Sequence, residues 1–572
     1  MNKTAGVLFF LLSGAFAGRT QQLKINAFQY PITKNLICTH GAVVSANALA
    51  SQVGVSILQQ GGNAIDAAIA VQLTLAVVYP DAGNIGGGGF MVAHLKNGKN
   101  IALDFREVAP AAATKNMYLD ANGNPQTNLS IDGHLSVGVP GTVAGLFASL
   151  KYARLSFRKL IQPAIDLADK GFAITSGQAK SLNGNNEDFI KFNTTVPIFV
   201  KEKSWEAGDI LIQKDLANTL KRIRDFGIKG FYEGETADMI VKEIQKGKGI
   251  ITHDDLKNYT TKERKVVAFN YKGYTIITMP LPSSGGILLQ QMLKMIEKRN
   301  IAAMKFQTPQ SVQLMIEAER RAFADRAEFM GDADFVKVPV KTLVSEQYLN
   351  HRMQSYQPGK AGNSVDIKAG RINIESEETT HLSVIDNEGN AVSVTTTLNN
   401  SYGSKTVVTG AGFLLNDEMD DFSAKPGAPN LYGAVGNEAN AIAPGKRMLS
   451  SMTPTLVLKN KSPYLVIGTP GGTTIPTSVF QTIVNIIEFK LSANDAVNKP
   501  KFHHQWLPDQ VEVEKNFPIS VKNELIKMGY KINEREAIGR TEVIKILPGD
   551  TPTQHRIEAV ADTRGDDSAA GW

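Results

Sequence analysis

At 572 residues, with 61 Lys plus Arg against 55 Asp plus Glu, the chain has a formal charge of only +6 and no basic stripe, which excludes a nucleic-acid binder. Hydrophobic residues make up 42%, as in an ordinary globular protein, and the length calls for two domains or two intimately packed halves. A single cysteine, Cys38, excludes an intrachain disulfide and reads as a small buried residue rather than a nucleophile.

Residues 1–17 read as a secretion signal. Lys3 supplies the charge, Val7 to Leu12 a short apolar run, and Ala15-Phe16-Ala17 the small-x-small cleavage site. The run is too short to span a bilayer, so the expectation is a periplasmic or secreted protein without a membrane span.

Leu49, Val53 and Ile57 predict a helix over 45–60, stopped by Gly61-Gly62. Asn63, with Asp66 three residues on, caps a second helix to Val78 whose apolar and alanine faces predict complete burial. The glycines of GNIGGGGFM (83–91) lack the spacing of a phosphate cradle and suggest close backbone packing behind a site. Strands at 90–95 and 101–105 follow, and the second delivers Arg106, whose planar fork suits a carboxylate. Helices are predicted near 142–152, 159–169, 213–226 and 234–247, then one strand over 271–280, a turn at 281–286, and helices from Ile287 and over 308–329.

Residues 341–378 read as an exposed, mobile segment suited to a chain cut. Directly after it, Leu382 and Val384, then Val392, Val394 and Thr396, alternate around the turn Asn387 to Asn390, which predicts a hairpin. Period alone suits an ordinary edge hairpin; the threonines Thr379, Thr380 and Thr395 to Thr397, with Asn399, are what single it out. Further strands are expected at 411–415, 455–458 and 465–467. The acids Asp417 to Asp421 lack the spacing of a calcium loop, and no histidines cluster near them, so no metal is expected. The Gly/Pro/Asn loop 426–437, with Tyr432, suits a lid. Glycines 471 and 472, between a strand and a helix predicted from Pro476 to Glu488, are placed to offer amide N–H groups to an oxyanion. The last residues, from Ala559, read as a short strand and a turn-rich tail.

TTHLSVIDNEGNAVSVTTTLN (379–399), GFLLNDEMDDFSAKPGAPNLYG (412–433), KRMLSSMTPT (446–455) and GTPGGTTI (468–475) resemble, in order, the small-subunit motifs of gamma-glutamyltranspeptidases. QVGVSILQQGGNAIDAAIAV (52–71), GNIGGGGFM, LDFREVAP (103–110) and PLPSSGGI (280–287) resemble those of the large subunit. The resemblance implies an α+β, four-layer αββα N-terminal nucleophile hydrolase that cuts itself between Glu378 and Thr379, giving a heterodimer of 18–378 and 379–572. It implies Thr379 as nucleophile and, through its freed α-amine, as base, with Thr397 orienting it and Gly471 and Gly472 as oxyanion hole. Arg106, Ser450 and Ser451 are then the clamp on a glutamyl α-carboxylate, and Asn399, Glu418 and Asp421 receive the α-ammonium. The implied substrates are glutathione and related γ-glutamyl compounds, with water, amino acids or dipeptides as acceptors and no cofactor. Departures are Leu382 and Thr396, where many relatives have Tyr, and Glu418, where some have Gln. The alternatives are a glutaryl or cephalosporin acylase of the same family and a non-catalytic exported binding protein.

Overall fold

Strands buried on both faces form the centre of the molecule. The computed structural model describes residues 25–367, 379–423, 425, 438–548 and 555–572, so the secretion signal, Glu378 and the Tyr432 loop lie outside the described residues. The principal strands are β1 (Asn35–Cys38), β2 (Ala42–Ser45), β3 (Gly88–His94), β4 (Asn100–Asp104), β5 (Lys262–Arg264), β6 (Val267–Tyr271) and β7 (Tyr274–Thr278). After these come β8 (Thr380–Ile385), β9 (Ala391–Thr397), β10 (Thr455–Lys459), β11 (Ser462–Gly468), β12 (Glu542–Pro548), β13 (His555–Val560) and β14 (Ser568–Gly571). They form two seven-stranded sheets, ordered β14-β2-β8-β9-β3-β4-β5 and β1-β13-β12-β11-β10-β7-β6.

Period-2 alternation sorts their side chains into three apolar layers. Val44, Phe90, Val92, Leu456, Val466 and Ile544 meet between the sheets. Their neighbours Val43, Met91, Leu382 and Val394 point outward onto helices α1 (Ala48–Gln59) and α2 (Ala64–Val78). On the far side, Val457, Leu465, Ile467 and Val543 pack under α3 (Gly285–Glu297), α4 (Pro309–Phe329) and α5 (Thr474–Ile487). The result is the αββα order. α2 begins at the predicted capping box, Asn63 accepting from Ile65 and Asp66 N–H and Asp66 accepting from Asn63 N–H, and every residue in it is buried.

Register brings one end of every site-bearing strand together. Thr397 pairs with Gly88, Phe90 with Asp104, Leu382 and Ser568 with Ser45, Thr455 with Ile467, and Gly468 with Glu542. Segments that leave or enter the strands at that end therefore share one edge of the sandwich. The glycine run lies there as close packing requires: a Cβ on Gly86 or Gly87 would stand 2.1 Å from the carbonyl oxygen of Leu414 or Thr397.

Several expectations are corrected. The β8–β9 hairpin is central rather than at an edge, flanked by β2 and β3. The single strand predicted over 271–280 is a hairpin: Tyr271 pairs with Tyr274 across Lys272 and Gly273, both at positive φ (49° and 83°). Residues 411–415 form only a bridge between Val407 and Leu414, because Gly410 and Gly412 turn the chain at φ 78° and 76°. The C-terminal tail is an edge strand on β2. The first part of 341–378 is not uniformly exposed: helices Val340–Leu343 and Glu346–Arg352 bury Leu343 and Leu349, and Trp506 holds the carbonyls of Ser364 and Ile367. A small sheet of Phe502–His503, Val511–Glu514 and Ile532–Arg535 was not anticipated.

Candidate active site

Thr379 stands immediately before β8, and Thr397 ends β9. Because Thr380 pairs with Thr396, the two outer threonines lie on neighbouring strands at the same end, only 4% and 3% exposed. They line a cavity of ≈ 20 Å³ with Arg106, Asn399, Asp421, Ser450, Ser451, Met452, Gly472 and Ile475. A space of that size holds about one water. Of the described residues singled out as the site, the cavity omits Glu418, which pairs with Arg106, and Gly471, the neighbour of Gly472.

Arg106 is buried and ion-paired with its neighbour Glu107 and with two acids on a different segment. Its Nη1 is 2.5 Å from Glu418 and 3.6 Å from Glu107, and its Nη2 donates to Asp421. Burial disfavours its charge, but Glu418, Asp421 and Glu107 more than offset this and raise its pKa. The acids feel the converse balance. Burial, opposed by Arg106, pushes Glu107 up to about 8 and holds Glu418 well above the usual carboxylate range. Three carboxyl groups around one guanidinium make the site short of positive charge. The cation expected beside a carboxylate and the acids expected beside an ammonium thus form one cluster rather than two separate clamps.

The other walls are held by backbone geometry. Asn399 takes φ 81°, a left-handed conformation that asparagine tolerates; its N–H donates to Thr397 Oγ1 at 2.8 Å and its side-chain amide to the Asp417 carbonyl at 3.1 Å. Ser450 is threaded into the turn before α3: its N–H donates to the Pro282 carbonyl, and its own carbonyl accepts from Ser284 N–H and Ser284 Oγ. Gly471 and Gly472 turn at φ 132° and 52°, and the Gly471 carbonyl accepts from Thr474 N–H and Oγ1. Among the described residues, neither glycine N–H meets an acceptor. Gly471 is buried and Gly472 half-buried, and buried amide donors are almost always paired, so an unengaged N–H at Gly471 points to a group brought by a ligand.

Three supporting residues escaped the sequence reading. Asn84 donates to the Thr397 carbonyl at 2.9 Å while its oxygen accepts from Gly87 N–H and Thr142 Oγ1; its place inside GNIGGGG was the available signal. Glu107 adds the third acid and was visible only as the neighbour of Arg106. Arg326, buried on α4, donates to Ser284 Oγ at 3.0 Å and Ser451 Oγ at 3.1 Å; nothing in its helical surroundings sets it apart.

No imidazole serves as a base here. His381, two residues beyond Thr379, is buried between the sheets against Thr395 and Ser383, and burial pushes its pKa down to about 3. Among the described residues no group of three or more His, Cys, Asp or Glu could hold a metal ion, and no helix is long and apolar enough to cross a membrane. The arrangement offers a hydroxyl, a pair of amide donors and a mixed-charge recess, the requirements for acyl transfer from a small zwitterion.

The sequence profile of the gamma-glutamyltranspeptidase family matches residues 50–572. The glutathione hydrolase proenzyme of Escherichia coli K12 is 45% identical over 537 residues, covering 93% of this chain and 92% of that protein. Among solved structures, cephalosporin acylase from Bacillus halodurans superposes with a TM-score of 0.82 at 26% identity, covering 99% of each chain. A chain of Helicobacter pylori gamma-glutamyltranspeptidase superposes with a TM-score of 0.56 at 46% identity, covering 60% of this chain and 97% of that one. With motifs, fold and profile in agreement over nearly its whole length, the chain belongs to the gamma-glutamyltranspeptidase family.

Proposed function

We propose that the protein is a self-processing gamma-glutamyltransferase and glutathione hydrolase, exported to the periplasm or beyond through residues 1–17. The observation that carries this reading is the shared recess: Thr379, Gly472 and the Arg106–Asp421 end of an acid-rich charge cluster line one cavity at one end of the sandwich. The precursor cuts itself between Glu378 and Thr379, leaving pieces 18–378 and 379–572 as a heterodimer. A threonine hydroxyl is a weak nucleophile at its own pKa, whereas a free α-amine titrates near 8. The amine released at Thr379 can therefore take the hydroxyl proton, and no histidine is needed.

In the proposed cycle the γ-glutamyl end enters this recess, which has to open beyond its ≈ 20 Å³ to admit it. Its α-carboxylate shares Arg106 with the acids and takes hydroxyl donors from Ser450 and Ser451. Its α-ammonium goes to Asn399, Glu418 and Asp421, where carboxyl groups outnumber the cation. Thr379 Oγ, oriented by Thr397, attacks the γ-carbonyl, and the developing oxyanion is received by the N–H groups of Gly471 and Gly472. Collapse releases the amine, which is cysteinylglycine when the donor is glutathione. Water then gives glutamate from the threonine ester, and an amino acid or dipeptide gives transfer. Tyr432 is proposed as the lid.

A denaturing gel with mass spectrometry tests this. The active protein should show two unequal pieces, the smaller beginning at Thr379, and Thr379→Ala should remain one inactive full-length chain. Normal cutting in that variant would overturn the assignment of the nucleophile.

A further inference from the structure

The segment after β9 reaches the recess on backbone that needs support. Asn399, Tyr402 and Lys405 take φ of 81°, 58° and 63°. Side chains are uncommon in that left-handed region and persist there only where their surroundings fix them. Lys405 fixes the far end, its Nζ donating to the carbonyls of Ser401 and Gly403. The near end, beside the recess, is fixed by Asp417.

Each polar group of Asp417 bonds to residues 398–400. Its N–H donates to the Leu398 carbonyl at 2.9 Å and its carbonyl accepts from Asn399 Nδ2 at 3.1 Å. Its carboxyl accepts from Asn400 N–H at 3.0 Å and from Asn400 Nδ2. The Asp417 carbonyl also accepts from Asp420 N–H at 3.2 Å, within the short turn Glu418–Asp421 that sends Glu418 and Asp421 to Arg106. Asp417 itself is fully buried and does not line the cavity.

We propose that Asp417 is a positioning residue for the donor, tying Asn399 to Glu418 and Asp421 at the spacing that receives the α-ammonium of a γ-glutamyl compound. This rests on the γ-glutamyl reading of the recess. The task of the carboxyl is geometric, unlike that of Glu418 and Asp421, whose charges face Arg106. Burial, opposed by Lys405 and by the Asn400 bonds, pushes the Asp417 carboxyl up to about 7, so near neutral pH a large share of it carries a proton. A protonated carboxyl keeps one acceptor and gains one donor, which is the pattern of a side-chain amide. Asn400 suits either form: its N–H serves the acceptor, and its amide can turn to accept from the donor. Asparagine at position 417 therefore keeps the tie. Alanine there leaves two donors of the buried Asn400 without their partner and frees the segment to relax.

The test uses the mature protein with a chromogenic γ-glutamyl anilide as donor and L-glutamate as competing inhibitor, whose inhibition constant reports binding without chemistry. In Asp417→Ala the donor KM and the inhibition constant should both rise at least tenfold while kcat falls less than fivefold. Asp417→Asn should keep all three within threefold of the parent. Asn400→Ala removes one of the two carboxyl bonds from the opposite side and should raise both constants at least threefold. Should Asp417→Ala fail to fold or to cut itself, Asn400→Ala and Asp417→Asn carry the test. Constants within twofold of the parent in Asp417→Ala or Asn400→Ala, or a fall in kcat larger than the rise in KM, would overturn the positioning role while leaving the γ-glutamyl reading intact. So would an Asp417→Asn as impaired as the alanine variant, which would make the charge the working part. A parent protein that neither hydrolyses the donor nor is inhibited by L-glutamate would overturn both.

Discussion

Replacing Gly471 with alanine probes the loop proposed to receive the oxyanion. Its φ of 132° is backbone that only glycine adopts readily, and an added Cβ would stand 2.4 Å from Thr474 Oγ1. That hydroxyl cannot step aside freely, because it donates to the Gly471 carbonyl at 2.7 Å and Thr474 N–H holds the same oxygen at 2.9 Å. Strain of about 1–3 kcal/mol is relieved most easily by turning about the residue-471 N–Cα bond, which displaces the residue-471 N–H, a donor with no acceptor among the described residues to hold it. Misplacing one oxyanion donor costs about 2.7–4 kcal/mol, or roughly 10²–10³ in kcat. The assay is steady-state hydrolysis of a γ-glutamyl anilide, normalised to the amount of correctly cut protein on a denaturing gel. The expected result is a kcat lower by roughly 10²–10³ with the donor KM changed less than about threefold, because the lost contact strengthens only as charge develops. Gly98→Ala is the control: φ there is 83° and an added Cβ meets nothing within 4 Å, so it carries similar backbone strain far from the recess. A Gly471→Ala kcat within about fivefold of the parent would refute the oxyanion role.

Two further outcomes are expected. Arg326→Met should raise the KM for γ-glutamyl donors about tenfold and leave a donor lacking the α-carboxylate unaffected, with Arg326→Lys intermediate, because Arg326 acts by orienting Ser451 Oγ; equal losses on both donors would contradict that role. Glu107 has a folded pKa of about 8, above its unfolded value, so the unfolded chain releases its proton first and the stability it contributes at low pH is lost between about pH 4.5 and 8. Glu107→Gln should therefore flatten the decline of the apparent melting temperature from pH 5 to 8 at a fixed scan rate, and an unchanged slope would count against the buried-acid account.

What the sequence made legible was whatever is encoded locally. The Asn63–Asp66 cap, the alternation of Leu382 to Thr396 and the apolar faces of α2 need no distant partner, and the structure holds them as read. The fold and the candidate site also came through motifs, whose residues the structure collects around Thr379. The misses share a cause in long-range geometry. Lys272-Gly273 is a two-residue turn only because Tyr271 and Tyr274 pair, and the run around it reads as continuous strand. The tail becomes a strand only because β2 offers an open edge to Ser568–Gly571. That Arg106 faces Glu107, Glu418 and Asp421 together, or that Arg326 reaches Ser451, follows from packing of segments far apart in the chain, which periodicity does not encode.

Strand order also bears on what self-cutting can do to the molecule. If the chain breaks before Thr379, β1 to β7 belong to one piece and β8 to β14 to the other, yet both sheets interleave the two. β2 lies between β14 and β8, β3 pairs with β9, β1 with β13, and β7 with β10. Each junction is a ladder of backbone hydrogen bonds, and those of β2 with β8 and β3 with β9 have side chains buried on both faces, so separating the pieces would unpair strands inside both sheets and expose apolar layers. Pieces cut there would therefore stay together without a disulfide, which a lone cysteine could not supply within the chain. The same interleaving means that a break there would leave the proposed site standing instead of destroying it. β8 is held on one side by β2 from the first piece and on the other by β9, so a new terminus at Thr379 would remain anchored one residue before a central strand, and the amine freed there would stay beside the hydroxyl it is proposed to serve.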